Sequence, residues 1–120
     1  MEKTKQLLES VAENYAVAAE NICMYIEDPD EKKEQLNDLR KLTREHAELA
    51  HEFHLQEMAV MHVTSQLKDI KDLEIEKVNK GQVLKNRPVI REIILEYIVK
   101  IKAILANFFT NRFATSSMLV

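Results

Sequence analysis

The side chains best equipped for chemistry gather mid-chain, where Glu48, His51, His54 and His62 stand close together among Leu55, Met58 and Met61. Glu48 and His51 form a Glu-x-x-His pair, a spacing that places both on adjacent turns of one helical face. Carboxylate-bridged di-iron bundles use two such pairs plus two further inward Glu residues. Glu13, Glu20, Glu92 and Glu96 could add carboxylates, but there is no second Glu-x-x-His. A ferritin-like reading built on Glu48, His51 and His54 with Glu20 and Glu96 therefore lacks half its ligands. Glu48, His51, His54 and His62 are held only as reserve metal candidates, and no metal or cofactor is assigned. Met58 and Met61 suit adaptable packing better than a soft-metal site.

Other reactive signatures are missing. The single Gly81 cannot build a phosphate-cradling loop or a dinucleotide turn. No Gly-x-Ser-x-Gly elbow is present. Cys23 stands among Ile22, Met24 and Ile26 and is expected to be a buried, unreactive thiol. No catalytic residue is assigned, and the expectation is a protein that is not an enzyme.

The elements carrying these residues are helices. One Gly and two Pro in 120 residues leave too few turn formers for a sandwich or an α/β fold. A content of 46% hydrophobic and 31% charged residues, rich in Leu, Glu, Lys, Ala and Ile, fits amphipathic helices around a modest core. Leu8, Val11, Tyr15, Ala18, Ile22 and Tyr25 alternate by threes and fours, predicting a first helix over about 4–27. Asp28 as N-cap, Pro29 at the first helical position and Glu31 at the capping-box position then start the next.

From Leu39 the seam reads Leu42, His46, Leu49, Phe53, Gln56, Val60, Val63, Leu67 and Ile70, with His46 and Gln56 as polar intruders. His46 is expected to be a polar core residue that sets register. This helix is expected over 29–80, either unbroken, at about 75 Å, or broken near 68–72. Lys80-Gly81 reads as a helix stop and Asn86-Arg87-Pro88 as the start of a last helix over 88–113, with a frayed tail at 114–120. The fold expected is all-α: a single-domain, antiparallel bundle of three to five helices with a long central helical hairpin.

The last helix carries more apolar surface than one neighbour covers. Either it is central to the bundle or it forms an interface, and Ile90, Ile94, Tyr97, Ile98, Ile101, Leu105, Phe108 and Phe109 are assigned as that interface. Charge is split. The first sixty residues hold 7 Lys/Arg against 14 Asp/Glu, and the last sixty hold 10 against 6. Helices pairing across a bundle explain that better than a nucleic-acid surface, although Lys77, Lys80, Lys85, Arg87 and Arg91 cluster together. The lone cysteine and the absence of an apolar leader suggest a reducing, cytoplasmic setting. Charged residues interrupting 89–109 exclude an ordinary membrane span.

The run Asn86-Arg87-Pro88-Val89-Ile90-Arg91-Glu92, with Tyr97 and the Ile/Leu residues behind it, resembles the last helix of the YlbF/YmcA-like bacterial proteins. Ala50-His51-Glu52-Phe53-His54-Leu55-Gln56-Glu57 is similar to that family's central helix. The resemblance covers about residues 45–109. It implies a small self-associating helical bundle, a regulatory partner in a complex affecting RNA processing and programmes such as competence and biofilm formation. Some members hold iron–sulfur clusters through Cys residues. With Cys23 alone, that property is not carried over. The first helix and the Asp28-Pro29 turn depart from the family pattern.

Three functions are thus open. The first is a regulatory adaptor that self-associates and binds protein partners. The second is an export or assembly chaperone of flagellar or phage type, holding a client with its C-terminal helix. The third is the ferritin-like metal bundle.

Overall fold

A computed structural model describes residues 2–110. They form four helices, α1 (Glu2–Tyr25), α2 (Pro29–Glu52), α3 (Glu57–Val83) and α4 (Arg87–Thr110), with no strand among the described residues. The protein is an all-α helical bundle. The expected extension of the last helix to 113 and the tail at 114–120 lie outside the described residues.

Each boundary has a local cause. At the start of α2 the Asp28 carboxylate accepts the Asp30 N–H at 3.2 Å, and Pro29 fills a position whose N–H needs no partner. Between α3 and α4, Lys85 adopts a left-handed backbone with φ 55. The Asn86 N–H donates to the Gly81 carbonyl at 3.1 Å and the Lys85 N–H to that of Gln82 at 3.0 Å. These two bonds make a Schellman close. Asn86 serves both helices, because its side-chain oxygen also accepts the Val89 N–H at 3.3 Å and caps α4.

The expected helix over 29–80 is two helices, and the break is not near 68–72, which lies inside α3. It falls at 53–56, where Phe53 and Gln56 are both extended. No Gly or Pro marks the place. Burial explains it: Leu55, which a continuous helix would turn away from the seam, is buried, and Phe53 leans on Phe109 at 5.7 Å between ring centroids. The longest extent of the molecule is 53 Å, short of the arm that an unbroken helix would make.

Gly81 also has a different part from the one expected. It sits inside α3 rather than ending it, and its φ is not positive. A Cβ there would meet Ile90 Cγ1 at 2.7 Å, so the missing side chain is what lets α4 approach.

α1 packs against all three other helices, α3 packs against α4, and α2 leans mainly on α1. The core joins Leu7, Val11, Ala18 and Ile22 of α1 to Val60, Val63 and Leu67 of α3 and to the inward side of α4. All eight α4 residues assigned above to an interface are buried in this core. The assignment is corrected: the chain's own helices, chiefly α1 and α3, cover that face. Three ion pairs, Glu13–Lys71, Glu27–Arg87 and Glu31–Arg91, each join an acid of the first half to a base of the second. The charge split is thus used across helices, although such exposed pairs contribute little.

Candidate functional site

The reserve metal candidates do not converge. Glu48, His51, His54 and His62 are all exposed. The break at 53–56 separates His51 on α2 from His62 on α3, with His54 in the link. Glu20 and Glu96 are exposed on α1 and α4. No group of three or more His, Cys, Asp or Glu among the described residues is placed to hold a metal ion. Cys23, expected to be buried, is exposed. Ile22 and Ile26 take the inward positions of that turn, and the next residue along a helix points roughly 100° away.

Among the polar groups that the structure buries, those at three points face another helix. His46 is 8% exposed, and its ring stacks between those of Tyr15 and Phe109, both 6.0 Å away. Its Nδ1 lies 3.1 Å from the Tyr15 hydroxyl. Burial holds the imidazole below its usual pKa, while Glu45 and the Leu42 carbonyl pull the other way. The inward polar position expected of His46 is the one it takes. Burial also raises Tyr15, with Glu45 adding to the effect.

On the other side of α1, the Tyr97 hydroxyl donates to Asn14 Oδ1 at 2.6 Å, and the Asn14 amide donates to the Ser10 carbonyl at 2.9 Å. Both Asn14 and Tyr97 are buried. Burial raises the Tyr97 phenol, and the nearby Glu74 and Tyr15 raise it further.

Glu74 is the third point and the one sequence reading missed. It is 4% exposed, and its Oε2 has no hydrogen-bond partner among the described residues. It lines a cleft of about 10 Å³ between α3 and α4, with Lys77, Glu96, Tyr97 and Lys100 around it. Burial pushes its carboxyl up to about 7; Glu96 adds to that, while the Asn21 amide, Lys77 and Lys100 pull it down. A signal was present. The three-four spacing that reaches Leu67 and Ile70 lands next on Glu74.

The outer surface carries its own pattern. On the free side of α3, Ile75 is exposed, Val83 is 79% exposed, and Leu84 just beyond is 76% exposed. Successive turns of that side also show Asn79 and the Glu76–Lys80 pair at 3.2 Å. At the opposite end of α3, Met58 and Met61 are exposed. No described helix is long and apolar enough to cross a membrane. Comparison with protein-family models, with curated proteins and with solved structures finds no match.

Proposed function

We propose that this chain is a non-enzymatic regulatory adaptor. It works by presenting helix surface to other proteins and to copies of itself, in a cytoplasmic setting. The observation that carries the reading is the free side of α3, where Ile75, Val83 and Leu84 are exposed around a charged pair. Apolar side chains interleaved with a few polar ones are the usual make-up of a helix-mediated contact. The pairings of Asn14 on α1 with Tyr97 and of Glu27, just past the end of α1, with Arg87 run in opposite order along the chain, which supports α1 and α4 lying antiparallel behind this surface. The resemblance of residues 45–109 to the YlbF/YmcA-like proteins points to the same self-associating, regulatory role.

The chaperone reading is disfavoured by the burial of α4. Releasing the helix would expose eight core side chains. At about 1.5–3 kcal/mol each, about 12–24 kcal/mol in all, that loss is comparable to or larger than the roughly 5–15 kcal/mol holding a domain together. That cost weighs against a helix that leaves while the rest stays folded.

Light scattering behind size exclusion, over a wide concentration range, tests the proposal. Wild type is expected to gain mass with concentration, and the Val83→Lys/Leu84→Lys variant to stay monomeric. Equal association in both would remove this surface from the reading, and a wild-type monomer throughout would remove self-association.

A further inference from the structure

Two of the buried polar points titrate, and they titrate in opposite senses. Glu74 sits in the α3–α4 seam with one carboxylate oxygen that has no hydrogen-bond partner among the described residues. The charged and titratable groups facing it are Lys77 from its own helix and Glu96, Tyr97 and Lys100 from α4, with the Asn21 amide on α1. Lys77 and Lys100 disfavour a metal cation there, and about 10 Å³ is no more than one water fills. Proton exchange is the chemistry left to this group. A protonated, neutral Glu74 suits the site, whereas an ionised one is a charge buried without an ion pair.

His46 is the mirror case in the α1–α2 seam. Tyr15 of α1 and the Phe109 ring of α4 face it, with Glu45 and the Leu42 carbonyl on its own helix. Burial at 8% exposure favours the neutral imidazole over imidazolium there. α2 leans mainly on α1, and this contact is part of that seam.

We propose that Glu74 and His46 are a compensating pair of proton sites: the fold is stabilised by keeping a proton on Glu74 and by keeping one off His46. Glu74 is raised from 4.5 to about 7, so its contribution is full below about 4.5 and is lost as pH rises to about 7. His46 is lowered from 6.5, so its contribution is present above 6.5 and is lost as pH falls towards the folded value. Just below pH 6.5, where the two ranges overlap, the two contributions change with pH in opposite senses.

The test is the folding equilibrium constant of wild type, Glu74→Gln, His46→Gln and the double variant from pH 5 to 6.5, by urea unfolding. Relative to wild type, Glu74→Gln is expected to gain with rising pH, approaching about tenfold per pH unit. His46→Gln is expected to lose with rising pH, and the double variant to change less with pH than either single variant. Single variants that run parallel to wild type, or that slope the same way, overturn the pairing. Should a variant not fold, NMR titration of the wild-type side chains decides. A Glu74 midpoint near 7 with His46 below 6.5 upholds the pairing, and ordinary values for either end it.

Discussion

Gly81→Ala separates two opposed effects whose sizes follow from the structure. In a helix interior Ala is favoured over Gly by about 1 kcal/mol, so a glycine that merely stops a helix should be improved by the change. Gly81 lies within α3, and its new methyl would stand 2.7 Å from Ile90 Cγ1. Carbon atoms at rest stay about 3.5–4.0 Å apart, so the overlap approaches an ångström. Ile90 is buried and branched at Cβ, and a γ carbon has little room to swing away. Overpacking of this kind costs about 1–3 kcal/mol, which outweighs the gain and leaves a net loss of about 1 kcal/mol. Urea unfolding of Gly81→Ala, Ile90→Ala and the double variant forms the assay. Ile90→Ala alone should cost about 2–5 kcal/mol. In that background the clash is gone, and Gly81→Ala should stabilise by about 1 kcal/mol. The coupling between the two sites is then about 2 kcal/mol. A stabilising Gly81→Ala in the wild-type background would refute the close-approach argument and restore the glycine as a helix stop.

Further outcomes follow from the same contacts. Lys85 holds a left-handed φ of 55, so Lys85→Gly should raise stability by about 0.5–1 kcal/mol in a thermal melt despite the freer unfolded chain; a loss would mean the lysine side chain makes contacts that matter more than its backbone. Tyr97→Phe removes the donor to Asn14 Oδ1 and should cost about 1–3 kcal/mol. The further change Asn14→Leu should then add less than it does alone, and strict additivity would argue against the bond. Truncation after Lys85 should give a chain with no cooperative unfolding transition, because α1 and α3 lose their common partner; a folded remainder by circular dichroism would revive the detachable-helix reading.

Local rules made much of this protein legible in advance. Scarcity of Gly and Pro, with apolar residues at three-four spacing, required helices. The caps at Asp28-Pro29 and Asn86 depend on side chains a few residues from the backbone groups they satisfy, and they read directly. His46 was legible as an inward polar residue because it interrupts an otherwise apolar seam. Tertiary structure decided the rest. The break at 53–56 has no local signal, because what favours it is burial of Leu55 and the contact of Phe53 with Phe109, a partner far along the chain. The same holds for Gly81, whose purpose is visible only once Ile90 lies against it. Composition showed that α4 carries too much apolar surface for one neighbour. Whether α1 and α3 or a second molecule covered it depended on how the helices stack, and α1 and α3 took that face. Glu74 lay on the apolar spacing all along, but what an inward carboxylate does depends on what surrounds it in three dimensions. The seam of α3 and α4 buries the carboxyl and leaves one of its oxygens without a hydrogen-bond partner among the described residues, which makes a residue that reads as a flaw in a pattern a candidate proton site.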